Sequence, residues 1–137
     1  SVAALLLVLV VAFSGGGGIR GHLNALKSVT SQMVVAINSG NANRLLDSME
    51  AAVLVFEDMQ QDSVAIKAEL AAMNEYEKQA FMNEAMLVMK QNKSALQPSD
   101  DIAIKLFTDI STNPAHLQRM QELQIRMQGA TRNNPFD

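Results

Sequence analysis

The chain has no cysteine and no tryptophan, only three prolines, and aromatic side chains make up just 4% of it. Without cysteine there is no disulfide framework, no CxxC redox pair, no thiolate zinc site and no CxxCH haem attachment, so stability has to come from packing. The compartment stays open on that evidence, because reduced cytosolic proteins and simple periplasmic helical domains both do without cysteine. The shortage of aromatics removes the usual stacking platform for bases or sugars. Charge of one sign is also scarce. Eleven Lys and Arg against 14 Asp and Glu give a net charge of -3, and the basic residues are scattered. Nothing there would track a phosphate backbone, which argues against a nucleic-acid partner.

What is present points to helices. The 137 residues are 48% hydrophobic and 18% charged, with nine methionines, a composition that suits one domain with one core. The organising stretch is residues 45–73. Leu45, Met49, Ala52, Phe56, Met59, Ser63, Ile66, Leu70 and Met73 alternate at steps of four and three, the spacing that keeps one helical face against a partner. No proline or glycine interrupts it, so a single long helix is expected, greasy on every side over residues 51–56. Ser63 breaks the seam at one core-facing step, where it could bond back to the preceding turn or mark the end of a partner helix.

Before that rod, residues 19–38 repeat apolar positions at Ile19, Leu23, Leu26, Thr30, Met33 and Ile37. Ser39-Gly40-Asn41 follows as a hairpin turn, with Gly40 suited to a left-handed cap and Asn41 or Asn43 to capping the next helix. Asn74 marks a further boundary, and a helix over residues 75–96 ends at Gln97-Pro98. Ser99 then caps a short helix with Ile102, Leu106 and Ile110 inward. Asn113-Pro114 starts a last one over residues 115–128, closed by Gly129.

The first 18 residues stand apart. Residues 2–13 are almost purely aliphatic and uncharged. At helical rise they reach roughly 18 to 20 Å, short of the ~30 Å hydrocarbon core of a bilayer. The length fits the apolar region of a secretory signal. Phe13-Ser14-Gly15-Gly16 resembles a bacterial lipoprotein signal end, except that Gly16 stands where the acylated cysteine would be. Gly15 to Gly18 equally reads as a flexible tether joining an apolar passenger helix to a domain that binds it, and a helix completed by neighbours in an assembly is the third reading. At the other end, Asn134-Pro135-Phe136 resembles the tripeptide read by endocytic adaptor domains.

Little in the sequence suggests catalysis. His22 and His116 lie on different helices, without the Glu three residues earlier that a di-iron bundle uses, and read as surface or capping residues. Asp47, Glu50, Glu57, Asp58, Asp62 and Glu69 read as a solvated acidic face. No nucleophile elbow or phosphate-binding loop is present. The bias that remains is methionine. Met82, Met86 and Met89 form a stripe on one helix and Met120 and Met127 on another, side chains that adapt to varied apolar ligands.

The expected fold is therefore all-α: an antiparallel bundle of four to five helices over residues 19–129, with a detached apolar helix at 1–14, a glycine linker at 15–18 and a flexible tail at 130–137. The expected role is non-catalytic, a binding or scaffolding protein of the cell envelope acting through helix–helix contacts, with no cofactor or metal. The alternative is a chaperone or receptor whose groove, lined by Phe81, Met82, Met86, Met89, Leu117, Met120 and Met127, binds hydrophobic helices, here with residues 2–13 as a tethered ligand. The partner is then a protein or a hydrophobic helix. Membrane contact through residues 1–14 and self-association both stay open.

Overall fold

A computed structural model of the chain describes residues 18–132. The expectations for the aliphatic start, most of the glycine linker and the Asn134-Pro135-Phe136 tripeptide lie outside these residues. The fold grows from a hairpin of α1 (Gly18–Ser39) and α2 (Ala42–Gln61). Gly40 turns the chain at φ +65°, where its N–H reaches the Ile37 carbonyl and the Asn41 N–H reaches that of Ala36, both at 3.1 Å. That pair of bonds is a Schellman closure, which needs a residue at positive φ. Asn41 then caps α2 by accepting from the Arg44 amide at 3.0 Å.

Between the two helices Ile19, Ala25 and Val29 meet Ala51, Ala52, Val55 and Met59, and Ile66 joins them from further along the chain. Ile19, Val29, Leu46, Val53, Val55 and Ile66 are the largest fully buried side chains. Each such side chain contributes about 1.5–3 kcal/mol relative to exposure. The seam from Leu45 to Met73 is buried or half-buried at every step.

The rod is bent, however. Helix α2 ends at Gln61 and α3 (Ser63–Ala72) begins after Asp62, whose φ of -88° and ψ of 10° lie outside helical values. The Asp62 N–H still donates to the Asp58 carbonyl at 3.0 Å and the Ile66 N–H to that of Asp62 at 2.9 Å. Helical bonding thus passes through the joint, and the change is a kink. It falls at an Asp, a poor interior helix residue, held from outside by His22.

Asn74 starts α4 (Glu75–Ala95) with a capping box: it accepts from the Glu77 amide at 2.8 Å while its own amide donates to the Glu77 carboxylate at 3.3 Å. Helix α4 lies on α1 and runs parallel to it, joined by Arg20–Glu84 at 2.6 Å, Asn92 to Thr30 at 2.7 Å and Asn38 to the Ala95 carbonyl at 2.8 Å. Among the described residues of α4 none is buried.

Ser99 caps α5 (Asp100–Thr112), whose Leu106 packs with Ala36, Ala42 and Leu45 over the turn end of the hairpin. Asn113 caps α6 (Pro114–Ala130), with Pro114 in the first turn. Helix α6 runs through Gly129 instead of stopping there. The Gln60 side chain holds its end by donating to the Gly129 and Arg132 carbonyls, each at 2.9 Å. Six helices thus make up the described residues, an all-α bundle. Among those residues no helix is long and apolar enough to cross a membrane.

Candidate functional site: an apolar cleft between α1, α2 and α6

Helix α6 is laid along α2 by two arginines set seven residues apart. Arg119 donates to Asp47 and to Glu50 at 2.8 Å each, and Arg126 to Glu57 at 2.5 Å. Low-numbered partners meet low-numbered partners, so α6 runs parallel to α2. Asp47 is buried and Glu50 and Glu57 are half-buried. The acidic face expected to be solvated is therefore, over these three residues, an interhelical contact. Burial alone would lower the Arg119 pKa, but its hydrogen bonds to Asp47 and Glu50 outweigh that and raise it.

Beneath the ion pairs Leu123 packs on Leu46 and Val53, with Met49, Met120 and Met127 around them. This contact leaves an opening. A cleft of about 430 Å³ lies where α1, α2 and α6 meet, lined by Met33, Met49, Ala52, Val53, Leu123, Gln124, Met127 and Gln128. Ala52 and Val53, short side chains inside the apolar run of α2, face a wall of three methionines from three helices. The polar atoms come from two glutamines on α6. None of the described residues lining it is titratable, and most of them present apolar surface.

The seven residues expected to line one groove are divided by the fold. Met127 lines the cleft and Met120 packs beside it, while Leu117, nearer the start of α6, is exposed. Phe81 packs from α4 against the Ile19–Ile66 core. Met82, Met86 and Met89 form a separate stripe on the solvent side of α4, exposed at 57%, 63% and 70%, on a helix that packs against α1 and not on the cleft. Met33, Met49, Ala52, Val53 and Leu123 were not foreseen as site residues. The signal that could have found them is the matched seven-residue spacing of Arg119 and Arg126 against Glu50 and Glu57, which sets the α6 register.

Of the two histidines, His22 departs from the expected surface or capping place, while His116 does cap, at the last turn of α5. His22 is 3% exposed, with Nε2 3.2 Å from the Asp62 carboxylate at the kink. His116 is half-buried, its Nδ1 3.1 Å from the Asp109 carbonyl and its Nε2 3.0 Å from the Asn43 side chain. Near His22, burial pushes the Asp58 carboxyl up, the His22 charge pulls it down, and Asp62 and Glu57 push it up again, leaving it raised. Among the described residues no group of three or more His, Cys, Asp or Glu is placed to hold a metal. No protein-family model, curated protein or solved structure matches the chain, so the reading of this cleft rests on its own geometry.

Proposed function

We propose that the chain is a non-catalytic binding protein that acts through its helical surfaces, taking an apolar helix of a partner protein against the cleft between α1, α2 and α6. The observation that carries this is the cleft itself: about 430 Å³ of space walled by methionine, alanine, valine and leucine. Ligand sites commonly run ~300–1,000 Å³. Two or three side chains spaced three and four residues apart on an incoming helix would be its anchors. Methionine walls adapt to differing shapes, which suits a partner defined by greasiness more than by sequence. On this reading the signal-like aliphatic start favours the cell envelope, where such helices are encountered.

Fluorescence anisotropy with a labelled leucine-rich helical peptide tests the binding. The full chain should bind it, and Ala52→Phe, which fills the floor of the cleft with apolar volume, should weaken binding at least tenfold while leaving the circular dichroism spectrum unchanged. Equal affinity for the two proteins would remove the cleft from the proposal. The envelope location has its own test in fractionation of cells, where a wholly cytosolic distribution would contradict it.

A further inference from the structure

Residues 2–13 form a twelve-residue run with no charged or hydrogen-bonding side chain, joined through Ser14 and Gly15–Gly17 to Gly18, the first residue of α1. Such a run needs cover. At helical rise these twelve residues reach about 18 Å. The point from which it departs is fixed, because the Ile19 amide donates to the Glu69 carboxylate at 3.0 Å and so ties the start of α1 to α3. Met33, the residue that α1 lends to the cleft, lies fifteen residues beyond Gly18 on the same helix, about 22 Å away at 1.5 Å per residue.

Four tether residues span up to about 14 Å. Together with the segment's own length, that is enough to turn back at Gly18, run antiparallel to α1 and set aliphatic side chains at the level of Met33, Met49 and Ala52. The chemistry matches as well as the reach. A segment without charge would meet a cleft whose polar side chains, among the described residues, are those of Gln124 and Gln128. A tether of four residues also supplies an effective concentration on the order of millimolar, so that docking within one chain outcompetes docking between two at micromolar protein.

We propose that residues 2–13 dock in cis against the α1–α2–α6 cleft and compete there with any apolar helix of a partner. The inference rests on the reading of that cleft as a helix-binding site and adds its resident occupant and the competition that follows.

Because the chain contains no cysteine, two introduced thiols report the contact without interference. In the full chain, Leu6→Cys paired with Gln124→Cys at the cleft rim should crosslink through a short bismaleimide within one chain. Its yield should exceed at least fivefold that of Leu6→Cys paired with Gln79→Cys. Gln79 is an exposed residue of α4, beside the Tyr76, Glu77, Ala80 and Phe81 that flank Ile19 near the tether. Equal yields, crosslinks that join two chains, or loss of the crosslink when phosphatidylcholine vesicles are added would overturn cis docking. Leu6→Ser with Leu9→Ser should empty the cleft and tighten binding of the labelled leucine-rich peptide at least fivefold. If the crosslink is absent and both proteins bind the peptide equally, cis docking fails while the proposed function stands. If the crosslink forms and neither protein binds the peptide, cis docking stands and the partner-binding function fails.

Discussion

Arg119 is the side chain that most directly fixes α6 on α2, since one nitrogen serves both Asp47 and Glu50 at 2.8 Å. Hydrogen bonds to charged groups contribute about 1.5–3 kcal/mol each, so Arg119→Met should lower unfolding free energy by about 2 kcal/mol in a urea titration. A double-mutant cycle with Glu50→Gln should show non-additivity, because the two residues share one contact. Gly40 has a different vulnerability. It sits at φ +65°, and an added Cβ would stand 3.0 Å from Ile102 Cγ2. Gly40→Ala should therefore cost about 1–2 kcal/mol from the left-handed backbone alone, read as a fall in Tm. Asp58 works in the opposite direction, its folded pKa being raised by burial, against the pull of His22 and with the push of Asp62 and Glu57. A carboxyl raised on folding holds its proton more tightly in the native state. Stability then falls as pH climbs from the unfolded value of about 3.9 through the folded one, and the deficit persists at neutral pH. Asp58→Asn should raise Tm at pH 7, and the gain should disappear below about pH 3, where the unfolded carboxyl is also protonated.

At the scale of elements, α4 is the helix least held by the rest. Among its described residues none is buried, and its ties to α1 are half-buried side chains and surface hydrogen bonds. Local opening free energy follows buried contact. Amide exchange in α4 should be complete before exchange in α2, whose Leu46, Ala51, Val53 and Val55 are at most 1% exposed. Asn74→Ala, which removes the capping box at a cost of about 1 kcal/mol, should widen that gap without touching the cleft. The starts of these elements were legible because capping is local chemistry: Asn41, Asn74, Ser99 and Asn113 each cap the helix that follows. The kink at Asp62 was not legible, because no proline or glycine marks it and the backbone bonds continue through it. The end of α6 was misplaced at Gly129 for a related reason. Gln60, 69 residues away in sequence, holds that helix end, and a local reading cannot see a partner so distant. His22 and Asp47 appeared solvated for the same reason, since their burial comes from helices packed across them.

For the whole molecule, helical spacing shows which residue types recur on a face but not which faces the fold brings together. Of the methionines at helical spacing, Met127 lines the cleft and Met120 packs beside it. The Met82–Met86–Met89 stripe belongs to another face because α4 rests on α1, a matter of topology that periodicity does not encode. The account's central claim is that the α1–α2–α6 cleft, and not this exposed stripe, is where an apolar helix binds. The nine methionines make that directly measurable by methyl NMR of the full chain labelled at methionine and titrated with the leucine-rich helical peptide. The account predicts that the Met33, Met49 and Met127 methyls shift in concert and saturate together while Met82, Met86 and Met89 stay in place. Shifts confined to the α4 methyls, or none at all, would contradict it.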